Sequence, residues 1–388
     1  MEGVDVLQVN ANVKPASRLL SLVTGRIKGV VVMCMRAGGP ETNWLGRFIV
    51  AVLVAAWCAG ADGAGQSADP GHAVQGKVGE MTGLVKTLSS QLRSGGRHAA
   101  KEALPPTYAE VRYGPHERNV LDFWQAESDK PTPLVVYIHG GGFVGGDKSE
   151  FVRHDPERVQ RCLEKGVSVA TINYPFVLTT DLLTIMCDTA RAVQFLRHQA
   201  TEWNIDKARF ASCGMSAGAG ASLWLAFHDD LADTDNADPV LRESTRIVAA
   251  AVHAPQATYD FPQWPTYLIL PPWLWPTSSG IVCPMYYHME KEEIDSEAGA
   301  RMRKELDILS LIDQSDPPVL LRTNRDNVPS QTWDNMLHHP GHGIKLRDTC
   351  QARGVPCILN EKETPKEARV DMLDFLFEHL GVLAKAGT

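Results

Sequence analysis

A chain of 388 residues, 44% of them apolar and 22% charged, can bury a large core as one big α/β domain or two small ones. Its formal charge of −8 argues against a nucleic-acid binder, as does the lack of any Lys/Arg stripe interleaved with aromatics. It carries no low-complexity tract, collagen repeat or coiled-coil period.

The N-terminal sixty residues differ in character from the rest of the chain. Residues 48–57 form an apolar run, preceded by Arg36 and Arg47 and followed by Ala59-Gly60-Ala61. Basic region, short apolar core and A-x-A site are the order of a secretory signal. The run is too short to span a bilayer comfortably. Residues 1–61 are therefore expected to be a cleaved leader, with the natural start at Met33 or Met35; an uncleaved anchor is the alternative. The mature chain would be acidic, secreted or periplasmic, and not stably inserted in a membrane. Residues 62–106 read as a linker plus a helix through Val78, Met81, Leu84, Val85 and Leu88, closed by Pro105-Pro106. Cys162, Cys187, Cys213, Cys283, Cys350 and Cys357 show no CxxC pairing and read as small buried hydrophobes rather than a zinc site or disulfide framework. A Cys350–Cys357 bridge is compatible with an oxidising compartment.

From residue 107 the chain has one α/β rhythm. Residues 108–113 and 119–124 alternate around Gly114-Pro115-His116, a hairpin signal. Residues 133–139 and 167–173 are continuous apolar runs, as buried strands require. A helix near 157–165 separates them. Leu182, Ile185, Met186, Ala190, Val193 and Leu196 then recur with helical period. Strands are expected at 208–212, 247–253, 318–322 and 356–360, and helices at 216–228, 341–353 and 366–379. Two leading strands followed by alternating strand and helix predict a mostly parallel sheet covered on both faces, in one domain over 107–388. Residues 255–316 break the rhythm before the next-to-last strand. Eight aromatics, among them Trp264, Trp273 and Trp275, are threaded there with Pro262, Pro265, Pro271, Pro272 and Pro276. The segment reads as a lid or pocket wall, or as a structural insert whose aromatics pack on the domain.

Two motifs carry chemistry. Gly214-Met215-Ser216-Ala217-Gly218 lies between an expected strand and an expected helix, the setting of a nucleophile elbow. His139-Gly140-Gly141-Gly142-Phe143 succeeds the first buried strand and lets backbone N–H groups face a ligand. Their order and strand context fit acyl transfer. Together they resemble the α/β-hydrolase fold and, within it, the hormone-sensitive-lipase-like carboxylesterases with an HGGG motif. The resemblance covers roughly residues 108–381. It implies Ser216 as nucleophile, with Gly141, Gly142 and Ala217 donating N–H groups to the oxyanion, and no metal or organic cofactor.

The acid of that family comes after the next-to-last strand, which points to Asp326, with Asp334 and Asp316 as fallbacks. Its histidine normally comes after the last strand, but residues 361–366 contain none. His338-His339-Pro340-Gly341-His342 comes earlier, before a helix that begins at the same sheet edge as the elbow. His339 or His338 is the expected base; that the cluster is structural or binds a metal adventitiously is the competing reading. His342, in the first helical turn, is disfavoured by the helix dipole. His253 is a further candidate, and His379 reads as a capping or surface residue. The stretch Asn173-Tyr174-Pro175-Phe176 also departs from the family, which bears on substrate contacts. The expected function is a serine carboxylesterase of the EC 3.1.1 type. It would act on short-chain, acetyl or aromatic small-molecule esters through an acyl-enzyme. The alternative is a catalytically impaired hydrolase-fold protein that binds a small ligand.

Overall fold

The computed structural model describes residues 21–27, 30–36 and 104–383, in two units divided after Ala103. In the first, β1 (Ser21–Ile27) pairs antiparallel with β2 (Val30–Arg36), Ile27 opposite Val30. The apolar run 48–57, its cleavage site and the helix expected within 62–103 lie outside the described residues. No helix among the described residues is long and apolar enough to cross a membrane.

The second unit is built on an eight-stranded sheet. Its strands are β3 (Tyr108–Arg112), β4 (Val120–Trp124), β5 (Thr132–Ile138), β6 (Ser168–Ile172), β7 (Ile205–Met215), β8 (Ala249–His253), β9 (Val319–Arg322) and β10 (Cys357–Asn360). Their spatial order is β10-β9-β8-β7-β5-β6-β4-β3. β3 and β4 pair antiparallel, as does β4 with β6, and every later pairing is parallel. The alternation of strands and helices predicted this mostly parallel sheet, and its order is that of the α/β-hydrolase fold, which the resemblance implied.

The crossovers carry α1 (Glu150–His154), α2 (Glu157–Glu164), α3 (Leu182–His198) and α4 (Ala217–Phe227). Then come α5 (Leu274–Tyr287), α6 (Glu297–Glu305), α7 (Ile308–Leu311), α8 (Trp333–Leu337), α9 (Gly341–Arg353) and α10 (Met372–His379). Parallel strands need such crossovers, and the helices fall on both faces. One apolar cluster joins Leu134, Val136 and Ile138 to α3, α4 and Leu346 of α9. The other joins Val135, Tyr137 and Cys213 to Val159 of α2 and Leu376 of α10. Every residue of α4 is buried, because it sits directly behind the sheet centre.

Some boundaries shift from the sequence reading. The closing helix starts at Met372 rather than 366, since the Asp371 side chain accepts from the N–H groups of Leu373 and Asp374 and caps it there. Residues 255–316 hold α5, α6 and α7 as well as a 3₁₀ turn, Phe261–Thr266, and pack Phe261, Trp264 and Tyr287 into the first cluster. Helix α8 has no counterpart in the sequence reading, and it proves central to the site.

Candidate active site

Strand β7 ends at Met215 and α4 begins at Ala217, so the turn between them is one residue, Ser216. Its φ is 54° with ψ −119°, a left-handed backbone that a side chain other than glycine adopts only when its surroundings enforce it. Here the Ser216 N–H donates to the His253 carbonyl at 2.9 Å, and the Ser216 carbonyl accepts from the Gly220 N–H at 3.0 Å. Close packing explains the flanking glycine Gly218, where a Cβ would overlap the Ile138 carbonyl oxygen. The turn is a nucleophile elbow in backbone geometry as well as in sequence.

The glycine loop after β5 stands beside it. A Cβ on Gly140 would lie 2.9 Å from the Met215 carbonyl oxygen and 3.6 Å from the Ser216 Cβ. The loop is braced carbonyl by carbonyl. Gly140 O accepts from His139 Nδ1 at 2.7 Å and from the Tyr174 hydroxyl at 3.2 Å. Gly141 O accepts from the N–H groups of Val144 at 3.0 Å and Gly145 at 3.1 Å. Gly142 O accepts from the Tyr286 hydroxyl at 2.6 Å. There is no cis peptide among the described residues. In a trans peptide the N–H points opposite the C=O. Pinning the carbonyls of Gly140 and Gly141 therefore aims the N–H groups of Gly141 and Gly142 away from this bracing.

His139 is fully buried, and burial pushes its imidazole down to about 4, so it is neutral. Arg118 Nη2 donates to its Nε2 at 3.4 Å, which leaves the proton on Nδ1 for Gly140. Tyr174 and Phe176, in the stretch where the sequence departs from the resemblance, brace the loop from beneath. Tyr174 stacks on His139 at 4.1 Å, and Phe176 lies 3.9 Å beneath the Arg118 guanidinium.

The remaining parts come from α8. His338 Nε2 lies 2.8 Å from Ser216 Oγ. Its Nδ1 lies 3.0 Å from Asp334 Oδ1. The other oxygen, Asp334 Oδ2, lies 2.7 Å from Arg325 Nη2. The hydrogen bond from His338, aided by the Arg325 guanidinium, holds the Asp334 carboxyl down at about 2. Being ionised, Asp334 only accepts, so His338 carries its proton on Nδ1 and presents a bare Nε2 lone pair to the Ser216 hydroxyl.

Helix α8 is itself secured. The Thr332 hydroxyl accepts from the Asn335 N–H at 3.1 Å and caps its start. Trp333 stacks on Trp264 of the insertion at 6.2 Å. At the other end Met336 O accepts from His342 Nε2 at 3.1 Å, and Leu337 O from Gln256 Nε2 at 2.8 Å.

Several expectations change. Asp326 does not stand against His338: it is 60% exposed and pairs with Lys362 at 2.5 Å. The chain runs on from Asp326 into α8, and the carboxylate that meets the imidazole is Asp334, one helical turn before it. Asp316 precedes β9 at the opposite end of the strand, where it accepts from the Asp313 N–H at 2.7 Å. His339 does not face Ser216 either. Its Nδ1 accepts from the Gly341 N–H and its Nε2 donates to Val328 O, both at 3.0 Å. Both of its nitrogens are taken by backbone. His342 is fully buried and pushed by that burial down to about 3; Ala257 N–H and Tyr267 OH, each 3.2 Å from Nδ1, occupy its other side. His379 lies in the last turn of α10, packed on Phe375. Sequence reasoning missed the roles of Arg325 and Tyr286. For α8, the signals were the Thr332 cap and the four-residue spacing of Asp334 and His338.

The chain is similar to known proteins in ways that agree with this geometry. The model of the BD-FAE family matches residues 121–336, more than half of the chain. Among solved structures, a truncated carbohydrate esterase from gut microbiota superposes with a TM-score of 0.55 at 16% identity, over 72% of this chain and 100% of that one. An acetyl ester-xyloside bifunctional hydrolase from Caldicellulosiruptor lactoaceticus gives 0.53 at 17%, over 73% and 100%. Esterase B from Lactobacillus rhamnosis, inhibited by a tributyrin phosphonate, gives 0.50 at 16%, over 81% and 97%. At such identities the likeness is one of fold.

Proposed function

Because the chain belongs to the BD-FAE family of α/β-hydrolase-fold esterases, and not specifically to the hormone-sensitive-lipase-like group, we propose that it is a serine carboxylesterase with Ser216 as nucleophile. The observation that carries the proposal is the 2.8 Å approach of His338 Nε2 to Ser216 Oγ, with Asp334 on the other ring nitrogen. As Ser216 attacks the ester carbonyl, its proton passes to His338, and Asp334 stabilises the imidazolium. The N–H groups of Gly141, Gly142 and Ala217 receive the oxyanion; one such donor is worth about 100- to 1000-fold in rate. Collapse expels the alcohol, which takes the proton from His338. Water then attacks the acyl-serine by the same route and releases the acid.

The substrates are small esters with short-chain, acetyl or aromatic groups, which the aromatic wall of residues 255–316 suits. Secretion or periplasmic export rests on the apolar run 48–57 and the small residues after it. The idea of an impaired, ligand-binding protein was motivated by the missing histidine after β10, and no observation favours it with His338 against Ser216. Hydrolysis of 4-nitrophenyl acetate, 4-nitrophenyl butyrate and methyl ferulate by the wild-type chain and by Ser216→Ala tests the proposal. Turnover that depends on Ser216 supports it; no Ser216-dependent turnover on any of the three overturns it.

A further inference from the structure

Arg322 ends β9 at the sheet edge that carries the nucleophile. In register it lies beside His253, and His253 lies beside Met215, the residue before Ser216. Neighbours in register on parallel strands project to the same face, so Met215, His253 and Arg322 form one row. Arg322 is exposed.

Among the described residues of the second unit every other arginine hydrogen-bonds or ion-pairs with a carboxylate or a carbonyl oxygen. Arg325 takes Asp334, Arg347 takes Asp348, Arg353 takes Ile312 O and Arg369 takes Thr364 O. The Arg322 guanidinium has neither kind of partner there. His253 adds a second unmet group, since its Nε2 is buried with no hydrogen-bond partner among the described residues. Burial, then Arg322 and His338, push that imidazole down to about 4 against the opposing pull of the Asn324 hydrogen bond, so it is neutral and does not compete with Arg322 for an anion as a second charge. In a chain of net charge −8, an unpaired guanidinium at the edge that carries Ser216 is a local excess of donors over acceptors.

We propose that Arg322, beside neutral His253, forms a subsite for a carboxylate carried by the ester substrate, adjacent to Ser216. The guanidinium fork matches a carboxylate in two parallel hydrogen bonds. The proposal rests on the esterase reading and deepens it by naming a substrate feature.

The test compares esters matched except for one carboxylate. Mono-4-nitrophenyl glutarate against 4-nitrophenyl butyrate places it on the acyl side; 3-acetoxybenzoate against phenyl acetate places it on the alcohol side. In Arg322→Gln the carboxylate-to-neutral ratio of kcat/KM falls about fivefold for one of these pairs, through KM, as an accessible ion pair allows. Arg322→Lys restores part of it, and added salt erodes the wild-type preference. Equal ratios in wild type and Arg322→Gln for both pairs overturn the subsite. If no ester is turned over, the esterase reading fails separately. Calorimetric titration of Ser216→Ala with 3-acetoxybenzoate, beside the same variant carrying Arg322→Gln, then decides the subsite: Arg322-dependent binding supports it, and equal binding or none overturns it.

Discussion

Asp334 and His338 are four residues apart, and their Oδ1 and Nδ1 atoms meet at 3.0 Å across one helical turn. Residues at that spacing share a helix face, so α8 pre-assembles acid and base as one unit. With that pair against Ser216, the proposed mechanism needs no residue from the loop after the last strand. Asp334→Asn replaces an acceptor-only carboxylate by an amide whose NH2 can turn to His338 Nδ1 and select the wrong tautomer, and it lowers kcat by roughly a thousand- to ten-thousand-fold. Asp326→Asn disturbs only an exposed pair with Lys362 and leaves kcat/KM within about twofold. Steady-state kinetics on one ester separates the two carboxylates, and the reverse order would return the acid to Asp326.

Tyr286 reaches from the insertion to the Gly142 carbonyl at 2.6 Å. Tyr286→Phe leaves the ring packed against Phe143 and Phe261 but releases the Gly142–Phe143 peptide. The expected result is a fall of about tenfold in kcat with KM little changed, because the lost interaction fixes the end of the loop that carries the proposed oxyanion donors rather than substrate. A change confined to KM would instead make Tyr286 part of the pocket wall.

Two fully buried histidines and the half-buried His253 set the acid limit of stability. Burial pushes His139 and His253 to about 4 and His342 to about 3. The unfolded chain takes up these protons near 6.5 while the folded chain does not. Stability is therefore full above that value, falls as the pH drops below it, and levels only near the folded values. For fully buried His139 and His342 the loss is about 2 kcal/mol each at pH 5. Tm measured from pH 7.5 to 4.5 declines accordingly, and a flat Tm over that range would contradict these protonation states.

Asp316 runs the other way. Burial raises its carboxyl to about 6, against about 3.9 in an unfolded chain. The fold thus favours its neutral form, and its contribution falls as pH rises from about 4 through 6. Asp316→Asn keeps an oxygen for the Asp313 N–H while removing the ionisation. Tm near pH 7 rises relative to wild type, and the gain shrinks at pH 4; an equal shift at both values would rule out ionisation as its cause.

The range of each interaction decides how far it is legible in the chain alone. Apolar runs and glycine punctuation are local, so the parallel strands, the turn at Ser216 and the loop at His139–Gly142 were legible in order and in their place at the strand ends. The identity of the acid was not, because Asp326 and Asp334 both come after β9, and only the folded turn of α8 brings one of them to an imidazole. The histidine cluster was equally ambiguous in sequence. His338 is at the end of α8, while His339 and His342 turn into the protein and spend their nitrogens on backbone atoms and on Tyr267. A five-residue helix is too short to show a period, which is why its Thr332 cap carries no weight until the packing of Trp333 on Trp264 is seen.

The central claim is that His338, and not another histidine of the cluster, activates Ser216. Labelling by a fluorophosphonate, with intact mass and peptide mapping as the readout, tests it most directly when wild type is run beside Ser216→Ala, His338→Ala and His339→Gln. The expected result is one adduct on Ser216, none in Ser216→Ala, labelling slowed by orders of magnitude in His338→Ala, and a near wild-type rate in His339→Gln wherever its circular dichroism is native. Undiminished labelling of Ser216 in His338→Ala, or no labelling of Ser216 in the wild-type chain, would contradict it.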